Sequence, residues 1–202
     1  MRKKVNLEFI WRKSITAKHD YLKNKKISLG NALVNSYKGQ SRLLIPLTDF
    51  IPSNYSEFTI KALQFIDEDG NKRFSSSFIG MFHIASDYNK PKDIVVIAEG
   101  YATARSIAES TDLFVIAAMS SINIKPVVEK ITEQFTNSRI VIAADNDDAG
   151  RNAALSVSDI PNTRIVYPTQ GFEDFNDMYQ AVGAEKVRNV FIGLQVEENE
   201  NV

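Results

Sequence analysis

A short apolar run that ends abruptly in carboxylates constrains this chain most: Ile140-Val141-Ile142-Ala143-Ala144 leads straight into Asp145-Asn146-Asp147-Asp148-Ala149-Gly150. The run has the length and continuity of a strand buried on both faces, and the alanine-rich segment 147–156 reads as a helix. The acids therefore fall at the carboxyl end of a strand, the edge at which open α/β sheets place their ligands. Asp145 and Asp147, one residue apart, are suited to a hard divalent cation, since magnesium takes one or two carboxylates and fills its shell with waters and substrate oxygens. Acids at a helix start also cap it. Taken alone, the run supports both readings. A second stretch favours the metal: Ile94-Val95-Val96-Ile97-Ala98 ends in Glu99-Gly100 and is followed by a helical segment, 101–110. If the two strands are parallel neighbours, Glu99 faces the Asp145/Asp147 pair across one sheet edge.

With both motifs in view, the chain resembles the Toprim superfamily, the catalytic domain of bacterial, phage and plasmid primases, topoisomerases and some nucleases, and within it the primases of plasmids and phages. The resemblance rests on Ile97-Ala98-Glu99-Gly100-Tyr101-Ala102-Thr103-Ala104, on Ala143-Ala144-Asp145-Asn146-Asp147-Asp148-Ala149-Gly150 and on the later acidic motif Asp174-Phe175-Asn176-Asp177. Upstream, His19-Asp20-Tyr21-Leu22 and the segment 63–74 resemble what precedes the catalytic domain there. The resemblance implies a metal-dependent phosphoryl-transfer enzyme acting on DNA, with Mg2+ or Mn2+ held by Asp145 and Asp147, joined by Glu99 and by Asp174 or Asp177. Glu99 is implied as general acid or base, or as a further ligand. Asp148 is the weaker candidate, because its side chain points away from its neighbour's at a helix start. This chain departs from the primases in two places. Its 75–82 segment lacks their lysine, and it carries Ile122-Asn123 where they often carry Gly-Asn.

The predicted fold class is α/β: a Toprim-like, Rossmann-like parallel sheet of about four strands flanked by helices. Expected strands are 93–98, 113–117, 139–144 and 163–167, with helices at 124–135, up to 182, and 184–194. Ahead of them come a basic helical segment, 1–42, and a small antiparallel β subdomain, 43–90, with strands at 43–47, 58–66, 73–77 and 80–84 and a hairpin at Asp67-Glu68-Asp69-Gly70-Asn71. The catalytic domain is placed at 91–195 and a disordered acidic tail at 196–202. In the basic segment Ile15, His19, Leu22 and Lys26 recur at helical spacing, and Gly30 is the terminator. Gly100 and Gly150 follow strand ends, where a missing Cβ allows a sharp turn and close approach to a ligand.

Net charge is −1, yet it divides sharply. Residues 1–42 hold eleven Lys and Arg against Glu8 and Asp20, and the remainder holds thirteen against twenty-three acids. A basic arm on an acidic, metal-binding body suits a polyanion, so Lys18, Lys23, Lys25, Lys26, Arg42, Arg105 and Arg151 are candidate phosphate contacts. Phe9, Trp11, Tyr21 and Tyr37 lie among these cations, placed either for base stacking or for packing. His19 and His83 lack metal-ligand neighbours and read as structural or surface groups. With no cysteine there is neither a disulfide framework nor a Cys-based zinc site. No run reaches the ~18 apolar residues of a membrane span, and a cytoplasmic protein is expected.

Primer synthesis on single-stranded DNA from ribonucleotides, in a plasmid, phage or mobile-element replication system, is the leading functional expectation. A Toprim DNA endonuclease or nickase acting on double-stranded DNA is the alternative, and a non-catalytic DNA-binding adaptor the third. The chain has neither a template-reading zinc module nor a helicase P-loop, so a replicative helicase or template-recognition partner is the expected companion.

Overall fold

Alternate residues of the buried strands divide between two cores: Ile94, Val96 and Ala98 pack with Tyr101, Ile107, Phe175 and Phe191, while Val95 and Ile97 pack with Val127, Val128 and Ile131. A strand with period-two side chains and apolar residues at every position must be covered on both faces, and that requirement organises the molecule. The computed structural model describes residues 6–196; the first residues of the basic arm and most of the predicted acidic tail lie outside these.

In chain order the elements are α1 (Leu7–Arg12), α2 (Asp20–Lys25), β1 (Leu33–Tyr37), β2 (Gln40–Leu47), β3 (Ala62–Asp67), β4 (Lys72–Phe74), β5 (His83–Ile84), β6 (Ile94–Ala98), α3 (Tyr101–Ser110), β7 (Phe114–Ala117), α4 (Ile124–Gln134), β8 (Arg139–Ala143), α5 (Asp148–Leu155), β9 (Thr163–Val166), α6 (Phe175–Val182) and α7 (Ala184–Val196). Two sheets result, β1-β2-β3-β4 and β5-β7-β6-β8-β9. The first is antiparallel throughout. In the second, β7, β6, β8 and β9 are parallel, and β5 pairs antiparallel to β7. The α/β class and the four-stranded parallel core match the sequence reading, with β5 as an added edge.

Three readings change. β1 lies inside the segment expected to be helical, whose described residues contribute two six-residue helices; Lys38 and Gly39, at φ 52° and 79°, make the tight turn that pairs β1 with β2. Two consecutive positive φ values give the twist a hairpin needs, but Lys-Gly is a weak signal for it. The 80–84 strand belongs to the main sheet, with His83 opposite Ala117. The linker at 88–92 is not a boundary of the core either: Leu43, Ile45 and Ile66 of the antiparallel sheet share a cluster with Val96, Val141 and Phe175, and a Thr48–Phe82 bridge ties the sheets together.

Arg105 locks the amino-terminal segment to this frame. It is buried, donates to the Ala85 carbonyl and to Ser28 Oγ (2.6 Å), and pairs with Glu109 at 2.9 Å. Gly30, at φ +53°, presses on the guanidinium so closely that a Cβ there would lie 2.7 Å from its carbon. The candidate phosphate contact is thus a structural cation. Arg105→Ala is expected to cost about 3 kcal/mol in urea unfolding, as loss of one partner of a buried pair does, and Arg105→Lys is expected to recover little of it because one ammonium cannot reach three acceptors on separate elements.

Candidate active site

The register of β6 on β8 sets Ala98 beside Ala143, so the two chains leave the sheet side by side and Glu99 and Asp145 emerge at the same edge. Asp147 follows as the N-cap of α5, its Oδ1 accepting from Gly150 N at 2.7 Å. Asp174 is the N-cap of α6 in the same manner, accepting from Asp177 N at 2.8 Å. The Asp174 loop is held to the Asp145 loop by Asn146, whose backbone N–H donates to Glu173 O at 2.6 Å and whose side chain donates to Phe172 O at 3.3 Å. Capping and convergence therefore coexist, because a cap uses one carboxylate oxygen and leaves the second for other work.

Crowded, half-buried acids raise one another's affinity for protons. Burial pushes the Asp145 carboxyl up to about 7, reinforced by the charges of Glu99, Asp174 and Asp147 and eased by Lys72. Glu99 is also raised, first by burial and then by Asp147 and Asp174, against a hydrogen bond from the backbone of Ser121 and the charge of Lys72. Asp145 Oδ1 is buried with no hydrogen-bond partner. Among the described residues no three His, Cys, Asp or Glu side chains gather tightly enough to hold an ion by themselves. Magnesium needs only one or two carboxylates, and an orphaned buried oxygen beside three further acids fits that donor set.

The candidates fare unequally. Glu99, Asp145 and Asp147 come together. Asp174, not Asp177, is the later acid whose charge reaches Glu99 and Asp145. Asp148 sits exposed in the first turn of α5. Lys72, on β4, went unpredicted; its position on the second strand of the hairpin was the available clue, since pairing with Ile66 of β3 puts it on that residue's face of the sheet, at an exposed position. Arg151 hydrogen-bonds Asn146 Oδ1 and lies over the Tyr167 ring at 5.3 Å, bracing the acidic loop. Arg42 is stacked on Tyr37 and Phe65, 4.3 and 5.0 Å from their centroids. Lys25 presents its carbonyl to Asn176 at 2.8 Å, and Lys26 reaches Gln180 O at 3.4 Å, whereas Lys18 and Lys23 are exposed. His19 caps α2 and His83 contacts Pro46 O at 3.0 Å, and both are buried.

The two glycines also part. A Cβ on Gly150 would lie 2.5 Å from the Asp145 carbonyl oxygen, so only glycine lets α5 start this close to the acid. Gly100 has φ −105° and its Cβ would meet nothing nearer than 3.8 Å; the sharp turn inferred there is not required by the chain.

Residues 94–185 match the Toprim domain family. DNA primase TraC of Escherichia coli is 29% identical over 167 residues, covering 76% of this chain and 15% of the relative; a second TraC from the same organism is 29% identical over 161 residues, covering 73% and 11%. The chain thus spans a small part of these curated relatives. Among solved structures, the primase fragment of the bacteriophage T7 primase-helicase superposes with TM-score 0.67 at 15% identity, over 87% of this chain and 79% of that one. The catalytic core of DnaG gives 0.60 at 13% identity, over 85% and 70%.

Two predictions arise from this geometry. Gly150→Ala is expected to lower stability by about 1–3 kcal/mol through the backbone clash, and Gly100→Ala to stay within about 0.5 kcal/mol of the parent, as measured by thermal unfolding. The second concerns pH. Asp145 titrates near 3.8 unfolded and about 7 folded; between these values unfolding releases a proton, so stability present below about 4 is lost as pH rises through 7. In EDTA the melting temperature should fall from pH 5 to pH 8, Asp145→Asn should flatten that fall, and magnesium should raise the melting temperature more at pH 8 than at pH 5.

Proposed function

Residues 94–185 form a Toprim domain, and from that premise we propose that the chain is the catalytic core of a primase, joining ribonucleotides on single-stranded DNA in a plasmid, phage or mobile-element replication system. The observation that carries this reading is the convergence of Glu99, Asp145, Asp147 and Asp174 with Lys72, a cation delivered from the separate antiparallel sheet. The likeness to primase structures extends across that amino-terminal sheet as well as the Toprim segment, which supports primer synthesis over the cleavage activity of other Toprim enzymes.

Asp145 and Asp147 would hold Mg2+ or Mn2+, with Asp174 behind them. The ion supplies charge neutralisation and a template for the attacking and leaving oxygens. The residues of the chain do the rest. Glu99, whose proton affinity is raised, takes the proton of the 3′-hydroxyl as its oxygen bonds to the α-phosphorus of the incoming nucleotide and pyrophosphate departs. Lys72 faces the same edge and offsets phosphate charge. Asn146 and Arg151 keep the two acidic loops in register. A helicase or a template-reading protein would supply the functions this segment lacks, and the reaction would take place in the cytoplasm. Among the described residues no helix is long and apolar enough to cross a membrane.

Purified protein incubated with magnesium or manganese, a single-stranded template and labelled ribonucleotides is expected to yield short RNA, with supercoiled plasmid left intact in a parallel reaction. Glu99→Gln and Asp145→Asn should each lower synthesis by at least ~100-fold, the scale on which general acid-base groups act. Nicked plasmid without RNA would instead identify a nuclease, and metal binding without either product an adaptor.

A further inference from the structure

A cavity of about 880 Å³ is lined by the amino-terminal segment together with Ser41 and Glu68 of the antiparallel sheet and its hairpin, and by none of the four converging acids. Leu22 and Ile27 give it apolar lining, and Lys18, Lys23, Asp20 and Glu68 give it polar lining. His19 lines it as well, 95% buried. Its Nδ1 accepts from the Tyr21 backbone N–H at 3.2 Å, so the ring proton of the neutral imidazole sits on Nε2. That Nε2 is buried with no partner. A buried donor without an acceptor is destabilising, and here the residue that carries it lines a cleft large enough for a small ligand, whose sites span ~300–1,000 Å³.

We propose that this cleft is a second binding site, for one nucleotide. The apolar lining takes the base, Asp20 and Glu68 accept hydrogen bonds from its amino groups or from sugar hydroxyls, Lys18 and Lys23 hold the phosphate, and an acceptor of the ligand meets His19 Nε2–H. Tyr21, flanked by the cleft residues Asp20 and Leu22, lies near Gly70, where an added Cβ would be 4.0 Å from its ring, and its phenol feels the charge of Asp174. A nucleotide held here would serve the nucleotidyl-transfer edge. This assignment of purpose rests on the primase reading; the binding itself does not.

The test separates the two by removing the metal. In EDTA, ATP, GTP and a short oligodeoxythymidylate are titrated by equilibrium dialysis while the His19 ring signals are followed by NMR. Binding should shift those signals, weaken at least about tenfold in Lys18→Glu/Lys23→Glu as phosphate contacts are lost, and be unchanged in Asp145→Asn. Both lysines are exposed, so the variant is expected to keep the parent's melting temperature. Tight binding of the oligonucleotide alone identifies a template nucleotide as occupant, and equal binding of the triphosphates identifies a free one. Absence of binding by all three, or binding that ignores the charge reversal and leaves His19 unmoved, overturns the proposal even if primer synthesis is observed.

Discussion

Everything at the acidic edge depends on one parallel pairing. Because Ala98 sits beside Ala143, the residue after β6 and the residue two beyond β8's last paired position leave the sheet together. A one-residue slip would turn the apolar set of one strand to the wrong core, so the two hydrophobic clusters that clamp β6 and β8 also fix the position of the carboxylates. Packing and chemistry here have a common cause: the side chains that bury the strands set the register, and the register sets the acids.

Holding those acids together opposes folding, and the structure shows how the opposition is contained. Asp147 and Asp174 each satisfy a helix start, so part of their charge is balanced by backbone N–H groups and by the positive end of a helix. Lys72 contributes from across the molecule. Among these acids Asp145 is left with an unmet buried oxygen, and burial first, then its acidic neighbours, raise its proton affinity. A site balanced in this way is stabilised by whatever cation it binds, and the same feature suits it to developing charge on phosphate.

The parts of the sequence that determine themselves locally were the parts it disclosed. β6 and β8 could be read because double burial demands unbroken apolar runs, and α3 could be read because it follows directly on the Glu99-Gly100 end of β6. What escaped depends on distant partners. Arg105 looks like a surface cation until Ser28 and Ala85, far away in sequence, close over it. Lys72 is marked only by its place in the hairpin, and the acids whose charge it offsets lie beyond strand ends of the other sheet. β1 was hidden by lysine-rich surroundings and by a Lys-Gly turn that only the pairing with β2 makes meaningful. Asp174 and Asp177 are equivalent in the motif, and only the Asn146 bonds to Phe172 and Glu173 decide which one is drawn toward Asp145.

Diffraction from crystals grown with manganese, recorded where that metal scatters anomalously, examines the central claim most directly. The account predicts one strong anomalous peak within coordination distance of Asp145 and Asp147 at the carboxyl end of β8, lost in Asp145→Asn. A fully occupied peak elsewhere, or none beside intact and ordered Asp145 and Asp147 carboxylates, would contradict it.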